Sequence, residues 1–204
     1  MSFANWLTVS PASGSGNQTV GVTGSTYTGR VMRQTVIEVT AANVTPAQVT
    51  IKQKGATEFA SPNANSYTKE KEGGTLTVEG KSNSSTLTFS LGTGDLNISL
   101  PSNYTANGET TANGVAIAGD PGASAEYNWS IQFSIPSATT VETKTKQLII
   151  TDDAGHTAIV TISLTGVDAY LTVSVQELTL EADGTPSSFD ITSNTSWTID
   201  GASA

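Results

Sequence analysis

The chain repeats itself once, at a single long offset. Residues 35–55, TVIEVTAANVTPAQVTIKQKG, lie over residues 146–166, KQLIITDDAGHTAIVTISLTG, when shifted by 111 positions. Val49-Thr50-Ile51 then meets Val160-Thr161-Ile162, and Gly55 meets Gly166. The same shift lays 73–83, GGTLTVEGKSN, over 184–194, GTPSSFDITSN, with Gly73 on Gly184 and Ser82-Asn83 on Ser193-Asn194. One offset that serves two separate stretches marks a duplicated structural unit. Its phase constrains the organisation further. Residues 56–166 span one whole unit, 1–55 hold only the second half of a unit, and 167–204 only the first half.

Period-two alternation of apolar and polar residues runs through both units and predicts strands. The segments are 6–10, 19–23, 31–40, 48–53, 75–79, 86–91, 96–100, 127–135, 146–151, 157–165, 171–175, 177–181, 188–192 and 196–199. Between them lie turn formers such as Asn107-Gly108, Asp120-Pro121-Gly122, Ala154-Gly155 and Asp183-Gly184. Composition agrees: 33 Thr and 24 Ser stand where a helical protein would carry Lys, Glu and Ala, and charged residues reach only 13%. Short strands at this spacing predict an all-β protein built of immunoglobulin-like β-sandwiches, one complete and one split between the two chain ends.

Charge and cysteine exclude whole classes of function. A net charge of −9 is the wrong sign for gripping a phosphate backbone. With no Cys there is no disulfide, thiolate nucleophile or Cys-ligated zinc. No apolar run reaches the ~18 residues of a membrane helix. The charges also divide along the repeat. Arg30, Arg33, Lys52 and Lys54 against Glu38 give residues 1–55 a charge of +3. Asp168, Glu177, Glu181, Asp183, Asp190 and Asp200, with no base among them, give 167–204 a charge of −6. Two halves of one fold with opposite charge attract each other.

The C-terminal run YLTVSVQELTLEADGTPSSFDITSNTSWTI resembles the first half of a BACON domain, the immunoglobulin-like module of Bacteroidetes surface proteins and their gut phages. The segment that carries the resemblance is Ser193-Asn194-Thr195-Ser196-Trp197. The N-terminal run from Trp6 to Gly55 resembles the second half of the same domain, so the two ends read as one BACON-like sandwich, completed in trans or in cis. The middle unit is similar only distantly: Thr86 stands where the offset would put the Trp, and Trp129 is expected to take the core role. The resemblance implies an immunoglobulin-like fold with Trp6, Trp129, Trp197, Ser193 and Asn194 as its core signature, and binding of carbohydrate or mucin.

No residue set predicts catalysis. His156 is the only histidine, and Asp152-Asp153-Ala154-Gly155-His156 reads as a hairpin turn rather than a metal site. A hydrolytic triad would need a nucleophile elbow, which is absent from the sequence. Glu70 and Glu72 alternate with Lys69 and Lys71 as on a solvated strand edge. Gly80-Lys81-Ser82 lacks both the leading glycine and the following helix of a phosphate loop. Tyr27 and Tyr104, in loop-like sequence, are the candidate glycan or partner contacts. The expectation is therefore a protein that is not an enzyme and needs no cofactor.

The opening Met-Ser-Phe-Ala-Asn-Trp has neither the basic and apolar segments of a secretion signal nor a lipobox cysteine. That favours a structural protein of a bacteriophage virion, made in the host cytoplasm. The expected role is a decoration or auxiliary protein on the capsid exterior that links neighbours by half-domain complementation. Its expected partners are other copies of itself, head to tail, the phage capsid protein and host or mucosal glycans, with no nucleic acid and no membrane. The alternative is a carbohydrate- or mucin-binding module.

Overall fold

A computed structural model describes residues 3–201. It is all-β, with a single turn of 3-10 helix at Pro121–Ala123. Two short hairpins come first: β1 (Leu7–Ser10) with β2 (Gly21–Gly24), and β3 (Arg33–Val39) with β4 (Ala47–Gln53). Nine strands follow: β5 (Ala60–Pro62), β6 (Ser66–Lys69), β7 (Gly74–Ser82), β8 (Leu87–Leu91), β9 (Asn103–Ala106), β10 (Glu109–Ala112), β11 (Tyr127–Ile135), β12 (Lys144–Asp152) and β13 (Thr157–Leu164). A last hairpin pairs β14 (Leu171–Val173) with β15 (Ile191–Ser193).

The nine central strands make a two-sheet sandwich. One sheet runs β10-β9-β11-β7-β5 and the other β6-β13-β12-β8. All pairs are antiparallel except β13 with β6, where Thr161 to Leu164 run alongside Ser66 to Lys69 in the same direction. Alternation decides which side each residue faces. In β11 the buried set is Tyr127, Trp129, Ile131, Phe133 and Ile135, while Asn128, Gln132 and Ser134 face out. Across the gap stand Leu87, Phe89, Leu148, Ile150, Val160 and Ile162, so the core is the interdigitation of two inner faces. Phe89 bridges the sheets, its ring centroid 4.8 Å from Tyr104 and 5.5 Å from Trp129.

Several strand expectations need correction. β5, β6, β9 and β10 carry Ser, Thr, Asn and Glu with few apolar residues, so their pattern gave no signal. β9 and β10 form because Asn107 (φ 51°) and Gly108 (φ 83°) both adopt positive φ, the two-residue turn that matches strand twist. The segment 96–100 is irregular, although Leu96 and Ile98 are buried as its alternation requires. Neither 177–181 nor 196–199 forms a ladder. Both lie in the C-terminal arm, where no strand of this chain runs beside them.

The chain enters and leaves the central sandwich at opposite poles. Ala60 pairs with Ser82 at one end of β7. At the other pole Leu164 pairs with Lys69, and the Thr165 N–H donates to the Lys69 carbonyl. The nine residues of β7 separate these poles by about 26 Å at ~3.3 Å per step.

Candidate functional site

The surfaces left for function are on the two arms. In the β3–β4 hairpin, Thr35 sits opposite Ile51, Ile37 opposite Val49 and Val39 opposite Ala47. Directly opposed residues share a face, so one side of the hairpin is apolar. The other side carries Gln34, Val36, Glu38, Gln48, Thr50 and Lys52, all exposed, so it is polar around one central valine. No second sheet covers the apolar side: Val39 and Val49 stay open to solvent.

Tyr27 is not a free contact. Its ring and that of Trp6 sandwich the Arg33 guanidinium, at 4.2 and 4.5 Å from the ring centroids. Its hydroxyl donates to the Val31 carbonyl at 2.8 Å. Arg33 Nε in turn donates to Gln53 Oε1 at 2.9 Å within the second hairpin, and Gln53 Nε2 donates to the Ser25 carbonyl at 2.8 Å just past β2, tying the second hairpin to the first. Tyr104 is buried in the sandwich core, where desolvation holds its hydroxyl above the usual phenol range. It cannot reach a glycan, because the β9–β10 hairpin turns its ring inward against Phe89.

Ser193 and Asn194 build a clamp at the base of the C-terminal arm. Asn194 Oδ1 accepts from the Tyr170 N–H at 2.9 Å, and its Nδ2 donates to the Asp168 carbonyl at 2.9 Å. Ser193 Oγ donates to the Tyr170 carbonyl at 2.9 Å and accepts from the Thr195 N–H at 3.0 Å. Ser82 and Asn83 make the same four bonds in the central sandwich. Asn83 binds the Phe59 N–H at 2.9 Å and the Thr57 carbonyl at 3.1 Å; Ser82 binds the Phe59 carbonyl at 2.6 Å and the Ser84 N–H at 2.9 Å. Every partner is displaced by 111 residues. The repeat in the sequence is thus a repeat of hydrogen bonds.

The junctions repeat too. The Ala56 N–H donates to the Gly29 carbonyl at 2.8 Å, and the Val167 N–H to the Thr140 carbonyl at 2.9 Å. Around the first junction Arg30 grips Asp120 through two bonds of 2.6 and 2.5 Å and also donates to the Asn83 carbonyl at 3.1 Å. That bidentate pair holds the Asp120 carboxyl below, and the Arg30 guanidinium above, its ordinary range. Asn83 Nδ2 reaches across to the Thr28 carbonyl at 3.0 Å. At the second junction Lys71 pairs with Asp168.

Of the signature aromatics, Trp129 is in the core and Trp6 is half-buried against Arg33. Trp197 is 49% exposed, contrary to the core position expected of it. The reason is that among the described residues no sheet opposes β14–β15. Trp197, Phe189, Leu178, Ile191 and Ile199 instead line a shallow open depression.

The His156 turn is self-contained. Asp152, buried, accepts from the His156 N–H at 2.8 Å and lies 2.8 Å from His156 Nδ1. Asp153 accepts from Ser85 Oγ at 2.8 Å. Among the described residues no three His, Asp or Glu converge on one point. Lys81 lies next to the end of β7 and pairs with Glu126 at 2.6 Å; β7 runs through Gly80-Lys81-Ser82 where a phosphate loop would open a helix.

Against this geometry, the family model for BACON, described as "Putative binding domain, N-terminal", matches residues 1–54. The N-terminal arm is therefore a BACON-type domain segment. Among curated proteins none matches the chain. Among solved structures the chain is similar to the endo-fucoidan hydrolase MfFcnA9 from glycoside hydrolase family 107, at 12% identity and a TM-score of 0.28. That similarity covers 81% of this chain and 26% of the hydrolase, so this chain spans about a quarter of that structure's length.

Proposed function

We propose that this protein is a non-enzymatic carbohydrate-binding module of the kind that engages mucin-type glycans. The observation that carries this reading is the BACON-type match over residues 1–54. The outer face of the β3–β4 hairpin lies within that stretch and suits the task. Gln34, Gln48, Thr50, Glu38 and Lys52 present amide, hydroxyl and charged groups on an exposed face around Val36. Such side chains both donate to and accept from sugar hydroxyls. Three carboxylates elsewhere are spent on structure: Asp152 on its turn, Asp120 on Arg30, Glu126 on Lys81. The test is a glycan array and a mucin-coated surface probed with soluble protein. Retention that drops at least tenfold in the Gln34→Ala/Gln48→Ala double variant supports the reading; no retention at high micromolar protein refutes it.

A second reading, a structural decoration protein on a bacteriophage capsid exterior, is favoured by one observation. Two arms with uncovered apolar faces leave the central sandwich at opposite poles, as a linker between neighbours requires. Electron microscopy of a purified particle that carries the protein would locate it on the shell or show it absent.

A further inference from the structure

We infer that two copies of this chain join head to tail, the C-terminal arm of one completing the N-terminal arm of the next into a second sandwich like the central one. The central sandwich supplies the template, because the arms copy its parts in register. Ala60↔Ser82 and Pro62↔Gly80 in β5–β7 recur 111 residues on as Leu171↔Ser193 and Val173↔Ile191 in β14–β15. Lys144↔Leu164 and Ile150↔Ala158 in β12–β13 recur 111 residues earlier as Arg33↔Gln53 and Val39↔Ala47 in β3–β4. Each arm is thus a correctly formed fragment of the same sandwich, and neither holds the other's strands.

Burial shows what is missing. Val20, Val22, Val39, Val49 and Phe189 are 40–59% exposed. Their counterparts at the offset, Ile131, Phe133, Ile150, Val160 and Val78, are 0–1% exposed. Positions that form the innermost core of one unit stand in water in the other. The absent ladders tell the same story. Segment 177–180 corresponds to β6, whose partner β13 corresponds to β4 in the other arm. From Asn194 to Trp197 is one residue shorter than from Asn83 to Leu87. Trp197 and Ile199 therefore fall at Leu87 and Phe89 on β8, whose partner β12 corresponds to β3. Those two core residues are 0% and 1% exposed. The alternating segments at 177–181 and 196–199 lack ladders because their partner strands lie on the opposite arm.

The occupant is a second copy rather than the same chain. The arms leave from poles about 26 Å apart along β7. Their charges, +3 and −6, are complementary. The contact is heterologous, so it closes into a ring or runs on as a filament.

The template fixes the pairing. Phe133↔Leu76 and Ile135↔Gly74 place Val22 opposite Ser187 and Gly24 opposite Thr185 of the next copy. The chain has no Cys, so a Val22→Cys/Ser187→Cys double variant, oxidised and run without reductant, should give a ladder of covalent oligomers. A cross-link found only within monomers would overturn the inference. The decisive assay is mixing. Unaltered protein should exceed 21.0 kDa in light scattering, increasingly so with concentration. Val49→Glu, which spoils the N-terminal arm, and Phe189→Glu, which spoils the C-terminal arm, should each be monomeric with the central sandwich melting normally. Mixed, they should form a one-to-one dimer at twice 21.0 kDa, since each retains one intact arm. Unaltered protein that stays at 21.0 kDa at all concentrations, or arms that pair only with other polypeptides, would overturn it. So would a Phe189→Glu chain that still self-associates.

Discussion

Asn83→Ala removes the side chain that ties three segments together at one pole. The asparagine is fully buried, its Oδ1 takes the Phe59 N–H, and its Nδ2 serves the Thr57 and Thr28 carbonyls. Alanine leaves all three groups without that partner, at a pole where Thr28 and Phe59 are half-buried and Thr57 is exposed. A stranded buried polar group costs about 1–3 kcal/mol. Taking the N–H at about 2 kcal/mol and the Thr28 carbonyl, which keeps a second lone pair, at about 1 kcal/mol, with the Thr57 carbonyl free to take water, gives a loss of about 3 kcal/mol. For a sandwich of this size that lowers Tm by about 12 °C, at about 4 °C per kcal/mol. Thermal and denaturant unfolding followed by circular dichroism measure it. The control is Asn194→Ala, which deletes the equivalent bonds on the exposed arm and should leave the central melt unchanged. A Tm drop under about 4 °C for Asn83→Ala would refute the view that this amide organises the pole.

Three further outcomes follow from the junctions and the histidine turn. Because Arg30 depresses the folded pKa of Asp120, their pair contributes fully above the ordinary aspartate value of 3.8 and is lost as pH falls through the lower folded value. Amide exchange at Arg30 and Val31 should therefore accelerate below pH 3.8 in the native protein but show no such step in Asp120→Asn. Gly166→Ala would set a Cβ 2.1 Å from the Val141 carbonyl oxygen. It should loosen the second junction, seen as new proteolytic cleavage near residue 167 with the central melt lowered by about 1–3 kcal/mol. His156→Ala, or a strong chelator added to the native protein, should change Tm by less than about 2 °C, since Asp152 keeps the main-chain bond to residue 156; a larger chelator effect would reveal a metal at the 152–156 turn.

Strand positions were legible where one face is buried and the other wet, as in β11, β12 and β13, because burial imposes period two on the residue choice. Strands whose role is pairing rather than core filling escaped, β9 and β10 above all. Their one strong signal was Asn107-Gly108, which read as a turn without revealing the strands on either side. Trp129 is buried together with Ile131 and Phe133, with which it alternates. The sequence around Tyr104, after the alternating segment 96–100, has loop-like composition, yet packing against Phe89 pulls the ring inside. Trp197 shows the opposite limit: its alternation specifies a core position, yet among the described residues nothing covers it. The hydrogen-bonded clamp was visible only as a matched Ser-Asn pair, since sequence shows the identity of two residues but not the four bonds they make.

The direction of β6 beside β13 has a mechanical consequence. Strain applied through the two arms pulls β6 toward its start and β13 toward its end, so these neighbours are drawn lengthwise past each other. The rungs from Ser66↔Thr161 to Lys69↔Leu164 then bear the force side by side. In a hairpin pulled at its open end the rungs would instead break in succession, like a zip. Rungs that must break together give way only at high force, and the rate of that single event sets the lifetime under tension. A string of such units would transmit a pull along its length and fail abruptly rather than stretch.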